Sequence, residues 1–176
     1  MNRLFFPLAI LVLLAAASTS TASVLQDTCK SIAASHRDIG YDYCLSFFQA
    51  DKGSAAADKR GLAAIAVRIA GAAARNTAGH IASLKRSTKD KSVAQGLADC
   101  AEVYSSAVSD SRQAAQGIAS GNVGDAVALL SAVLNAPDTC DQGFEDLKVS
   151  SPLAADDDAF RKEATIALFT TSALSK

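Results

Sequence analysis

The residues of this chain best suited to chemistry are four cysteines (Cys29, Cys44, Cys100, Cys140), two histidines (His36, His80) and an aspartate run, Asp156-Asp157-Asp158. Thiolates and imidazoles can bind zinc or act as nucleophile and base, and clustered carboxylates can bind calcium. The spacing argues against each use. No two cysteines stand in a C-x-x-C pair, and neither histidine clusters with them. HExxH, GxSxG, the P-loop and the dinucleotide fingerprint are all missing. Three acidic residues opening a helix complement its positive end, and no further ligand spacing follows them. His36 reads as a turn residue and His80 as lying on the exposed side of a helix, both solvated. No catalytic residue, metal or cofactor is expected, and the chain is not expected to be an enzyme.

The cysteines fit another role. The N-terminus, "MNRLFFPLAILVLLAAASTSTAS", has a basic Arg3, an apolar run and then small residues. That is the pattern of a secretory signal peptide over residues 1–22, cleaved after Ala22. A retained anchor is the alternative. Nothing later approaches a membrane span, so a soluble, extracellular product is expected. In a secreted chain an even number of cysteines reads as disulfides, with three possible pairings.

The elements that position these residues are helices. Apolar residues make up 49% of the chain, many of them Ala, and there are only three Pro and no Trp. Ala favours helix and lets helices approach closely. Two short helices, "VLQDTCKSIAAS" and "YDYCLSFFQAD", flank a turn near "HRDIG". A long helix is predicted from a Ser54 N-cap to about Arg86, with Leu62, Ile65, Ile69, Ala72 or Ala73, Asn76, Ile81 and Leu84 on its stripe. A second follows an Asp90 N-cap, with a seam of Val93, Leu97, Cys100, Tyr104, Ala107, Ser111, Ala114 and Ile118 spaced by four or three. A third starts after Asn122, with Ala126, Val127, Leu130, Val133 and Leu134 on its stripe, and should be kinked or interrupted at Pro137. "KVSSPLAADDD" reads as a loop. The last helix should run from Asp156 to Leu174, with Phe160, Ala164, Ala167, Thr171 and Leu174 in line. Four long helices with short connections predict an all-α, antiparallel up-down-up-down bundle over residues 54–176, preceded by a helical hairpin over 23–53, in one domain of residues 23–176.

This topology bears on the pairing. Residues equidistant from the turn of an antiparallel pair lie at one height. Cys100 and Cys140 are almost symmetric about the Ser120-Gly121-Asn122 break, each about 30 Å along its helix. Cys29 and Cys44 are symmetric about His36 and Arg37. Two separate turns therefore favour 29–44 and 100–140; crossed pairings would place the hairpin against mid-bundle. Closing loops of about 15 and 40 residues would stabilise by roughly 3 and 4 kcal/mol through lost chain entropy.

Charge excludes a further class. Without Arg3 the chain holds 16 basic and 18 acidic residues, so overall charge excludes strong electrostatic binding to nucleic acid or an anionic polymer and leaves room only for a local patch. Lys85, Arg86, Lys89 and Lys91 form a local basic cluster that reads as a solvated helix end and turn. A rigid helical surface without a catalytic group suits binding better than reaction.

The segments "CKSIAASHRDIGYDYC", "LADCAEVYSSAVSD" and "LLSAVLNAPDTCDQGF" carry a resemblance. The chain resembles the plant invertase and pectin methylesterase inhibitor family through Cys29 with Cys44, Asp99-Cys100 with Tyr104, and Ser131-Ala132 with Thr139-Cys140 and Phe144. Within the family it is most similar to invertase inhibitors of the pollen-allergen type. The resemblance implies a four-helix bundle with an N-terminal hairpin, the 29–44 and 100–140 disulfides, and non-covalent occlusion of a cell-wall enzyme's cleft. It implies a protein partner, either pectin methylesterase or invertase, and no membrane after signal cleavage; a monomer is expected. Invertase inhibitors of this family carry Pro-Lys-Phe just after the turn between the second and third long helices. Here that place holds Val123-Gly124-Asp125, which favours pectin methylesterase as target. Asn122, Val123, Gly124 and Asp125 are the candidate partner-binding residues, although Gly121 and Asn122 are equally explained as helix caps. A non-inhibitory interaction protein on the same fold and a small-molecule carrier are the alternatives from other classes.

Overall fold

The computed structural model describes residues 24–175. Their elements are helices: α1 over residues 24–35, α2 (Tyr41–Gln49), α3 (Lys59–Ser87), α4 (Lys91–Ser120), α5 (Val123–Asp146) and α6 (Ala154–Ser172), with 3-10 turns at Ser54–Ala56 and Ala173–Ser175. The expected signal peptide lies outside the described residues. The chain divides into two compact units, one ending at Leu62 and one running from Ala63 to Lys176.

In the first unit, α1 and α2 bury Cys29, Ile32, Ile39, Cys44 and Phe48 completely. Phe47 and Phe48 meet edge to face, their ring centroids 5.1 Å apart. Ser54 does not cap α3 as its sequence position suggested. It is buried in a 3-10 turn, and Ala57 is extended. The N-cap is Asp58, whose Oδ1 accepts from the Gly61 amide at 2.7 Å. An aspartate further along offered a stronger acceptor for the orphan amides of the first turn.

In the second unit, α3 from residue 63, α4, α5 and α6 form the antiparallel up-down-up-down bundle. Asp90 caps α4, accepting from the Ser92 and Val93 amides at 2.8 and 3.1 Å. The α4 seam follows its spacing from Leu97 on: Leu97, Cys100, Tyr104, Ala107, Ser111, Ala114 and Ile118 are buried, while Val93 at its start is half-buried. Leu97, Tyr104, Val133, Phe144, Leu153 and Phe160 share one apolar core.

The structure corrects three other sequence expectations. On α3, Asn76 is exposed and Ile65 and Ile69 are only half-buried, while Ala63, Ala66, Ala70, Ala74 and Thr77 are buried. The bulky isoleucines lie at the edges of the stripe, and its centre is alanine, which lets α4 come close. The backbone at Gly71 approaches Ser111 so nearly that an added Cβ would stand 3.1 Å from the Ser111 Cβ. On α5, Pro137 interrupts nothing: the helix continues to Asp146 and buries Pro137 itself. A proline in an isolated helix interior costs about 3 kcal/mol. Here Val133, Ala136, Cys140 and Phe144 are buried on both sides of it and hold the helix together. Finally, α6 begins at Ala154, two residues earlier than expected, above a buried Leu153 whose amide donates to Ser151 Oγ at 3.1 Å.

Candidate functional site

The α4–α5 turn holds the residues singled out for partner binding. Gly121 adopts the left-handed conformation, with φ of 86°, and ends α4. An L side chain resists that conformation, which explains the glycine. Asn122 occupies the N-cap position of α5, yet its side chain makes no capping bond. Its carbonyl instead accepts from the Ala126 amide at 3.2 Å. Gly117 permits the tight return, since a Cβ there would meet the Asn122 carbonyl oxygen at 3.1 Å. Asn122 and Asp125 line an open hollow with Gln113, Gln116, Ser120 and Leu129. Val123 is half-buried, Gly124 is exposed, and neither lines it. The amides, hydroxyl and carboxylate gathered there can hydrogen-bond a protein surface.

The four cysteines form two disulfides. Cys29 joins α1 to α2 at a Cα–Cα distance of 5.5 Å, through Cys44. Cys100 joins α4 to α5 at 4.8 Å, through Cys140. All four are buried, and no free thiol remains among the described residues.

The three aspartates at the start of α6 go three different ways. Asp156 Oδ2 lies 3.1 Å from His80 Nδ1 of α3, so His80 is partly exposed but paired. Asp158 pairs with Lys162 on the surface at 2.8 Å, and that ammonium lowers its carboxyl below the ordinary value. Asp157 turns inward, is fully buried, and accepts the phenolic proton of Tyr104. Its second oxygen has no hydrogen-bond partner among the described residues. Burial pushes its carboxyl up to about 7, and the nearby Asp141 adds to the shift; the Tyr104 hydrogen bond and Arg161 oppose it. Burial also raises the Tyr104 phenol, which stays protonated. Arg161 reaches Asp138 at 2.7 Å and Asp141 at 3.4 Å, tying α6 to α5. Nearby on α6, burial raises the Glu163 carboxyl to about 7.

Asp157 as a core residue was missed because its two neighbours made the run look like a helix-end charge cluster. A signal was present: the buried line Phe160, Ala164, Ala167, Thr171 extends back by three residues to Asp157.

Charge is also segregated by helix. Helix α3 carries six Lys or Arg and no Asp or Glu, whereas α5 carries five Asp or Glu and no Lys or Arg. Lys85, Arg86, Lys89 and Lys91, all exposed, continue the basic character of α3 into its turn.

The sequence profile for the plant invertase/pectin methylesterase inhibitor family matches residues 23–172. The chain belongs to that family. Members of this inhibitor family are not enzymes, in keeping with the disulfide-bonded cysteines. The chain is 28% identical over 155 residues to a Platanus orientalis protein named "Putative invertase inhibitor", covering 88% of this chain and 91% of that one. It is 32% identical over 102 residues to a pectinesterase inhibitor of Actinidia deliciosa, covering 58% and 55%. Its fold is similar to a crystal structure of a mutant pectin methylesterase inhibitor from Arabidopsis, with a TM-score of 0.65 and 24% identity over 75% of this chain and 88% of the other.

Proposed function

We propose that the protein is a secreted, monomeric inhibitor that covers the active-site cleft of a plant cell-wall enzyme, and that the enzyme is pectin methylesterase. The observation that carries this choice is the surface at the start of α5. Where family likeness places Pro-Lys-Phe in invertase inhibitors, this chain offers a half-buried valine, a bare glycine and an exposed carboxylate. A partner that expects a cation and an aromatic ring there would find neither. Disulfide closure and the small-residue packing of α3 on α4 support a rigid block, which reduces the ordering cost of association. Among the described residues no helix is long and apolar enough to cross a membrane. The secretory leader expected over residues 1–22 supports a partner in the cell wall.

A second reading, inhibition of invertase, is favoured by the likeness over 155 residues to the Platanus orientalis protein. Titration of the oxidised protein against a plant pectin methylesterase and a cell-wall invertase, between pH 5 and 7, separates the two. Saturable loss of methylesterase activity alone is the expected result. Loss of invertase activity alone overturns the choice of target. If neither enzyme responds, the chain is a non-inhibitory interaction protein on this fold.

A further inference from the structure

The basic helix α3 meets α4 at a second hollow, of about 350 Å³, which shares no lining residue with the hollow at the α4–α5 turn. Its floor is small and apolar: Ala64, Val67, Gly71 and Ala115. The close approach of Gly71 to Ser111 keeps that floor shallow. Three guanidinium groups stand around it, Arg68 and Arg75 from α3 and Arg112 from α4, all on exposed residues. The Ser111 hydroxyl is committed to the Ala107 carbonyl at 2.7 Å. The hollow therefore presents hydrogen-bond donors and positive charge at its rim over an apolar base.

The cations are arranged along a line. Arg68, Arg75 and Arg86 are spaced by seven and eleven residues, two and about three helical turns, so they lie on one face of α3. That row is about 27 Å long at 1.5 Å per residue. The positions between them on that face are Gly71, Ala72, Gly79, Ala82 and Ser83, which leave the row clear of bulk. Helix α3 itself contributes no Asp or Glu to this face.

We propose that this arginine-rimmed hollow binds the carboxylates of a linear polyuronate, a chain of acidic sugars. A guanidinium presents a planar fork of donors that matches a carboxylate, and the pairing is charge-assisted. The C–H face of a sugar ring suits the apolar floor. A hollow this small holds a sugar ring or two, whereas a stable protein contact needs about 800 Å² per partner. A narrow row of cations also follows a polymer better than it fills a flat interface. The choice of a uronate chain rests on the cell-wall setting proposed above, where removal of methyl groups from pectin exposes such carboxylates. Binding here would hold the inhibitor where its target enzyme has already acted.

The test measures binding by calorimetry with no enzyme present, so it is independent of inhibition. The probes are oligogalacturonate, fully methyl-esterified pectin fragments and a sulfated glucan. The variants are Arg75→Gln/Arg112→Gln and, as a control for lost charge, Lys30→Gln; thermal unfolding verifies that each is folded. The expected result is saturable binding of oligogalacturonate, none of the ester, and at least about tenfold weaker binding by the double variant alone. Three results overturn the proposal: no oligogalacturonate binding, equal loss in Lys30→Gln, or equal binding of the sulfated glucan that the double variant retains. Weaker inhibition by the double variant without any uronate binding also overturns it, and assigns the hollow to an acidic protein surface.

Discussion

Tyr104 on α4 donates its phenolic proton to Asp157 on α6, and both side chains are buried in the bundle core. The hydrogen bond satisfies one oxygen of a carboxyl that burial pushes up to about 7. The unfolded chain titrates this group near its ordinary value of about 4. Folding therefore takes up a proton here between those values. The contribution is complete below about pH 4 and is lost as pH rises through about 7, with a slope of up to about 1.4 kcal/mol per pH unit. Asp157→Asn keeps the acceptor and removes the titration. Urea denaturation at pH 4, 5.5 and 7 should show stability falling with pH in the wild type and a flatter profile in the variant. The part that remains belongs to Glu163, raised by its own burial in the same direction. An unchanged profile in Asp157→Asn would contradict the assignment.

Arg161 acts on the same carboxyl from outside. Its guanidinium lowers the Asp157 carboxyl and holds Asp138 and Asp141. Arg161→Gln should move the pH-dependent loss of stability to higher pH. At neutral pH the cost of the surface pairs themselves should stay below about 1 kcal/mol, because solvent screens them. The midpoint of the stability profile, compared between the two proteins, measures this.

Gly96 lies beneath the Phe144 ring. A Cβ there would stand 2.7 Å from the ring Cε1, and Phe144 is buried with little room to retreat. Gly96→Ala gains about 1 kcal/mol of helix propensity but should lose about 1–3 kcal/mol to overpacking, so destabilisation wins or the two nearly cancel. Gly79→Ala and Gly143→Ala meet nothing within 4 Å and keep only the gain. The three denaturation midpoints should therefore separate, with Gly96→Ala lowest.

The two disulfides close loops of different length, with sequence separations of 15 and 40. Cys100→Ser/Cys140→Ser should cost about 4 kcal/mol and Cys29→Ser/Cys44→Ser about 3. Thermal unfolding in the absence of reductant orders them. The opposite order would mean that local packing, rather than loop closure, sets the cost.

The start of α5 offers a direct test of target choice. Replacing Val123-Gly124-Asp125 by Pro-Lys-Phe puts proline at the first helical position, which tolerates it. The graft should confer measurable invertase inhibition if the wild-type chain acts on pectin methylesterase as proposed. Wild-type protein that already inhibits invertase would show that this surface does not decide the target.

Legibility followed side-chain size. The α4 seam was readable because Leu97, Tyr104 and Ile118 mark it with large groups, and the fold class followed from the number of such helices and their short connections. The α3 stripe was misread because its centre is alanine, and a methyl group carries little signal beside an isoleucine. Pro137 does not interrupt α5: a local rule about helix interiors cannot register the packing on either side. The turn residues Asn122 and Asp125 share a hollow that chain spacing does not reveal. Asp157 was hidden in a run of like residues: its charge argued for solvent, its period for the core, and Tyr104 decides between them.

The Cys100–Cys140 bond encloses the exposed two-residue turn at Gly121 and Asn122. A protease that severs the backbone at that turn would leave both fragments covalently joined, with α4 and α5 still side by side. The nicked molecule would migrate at full length until reduced. A cut between α3 and α4 has no such safeguard, because neither disulfide spans residues 88–90, so proteolysis there would release the two fragments from one another.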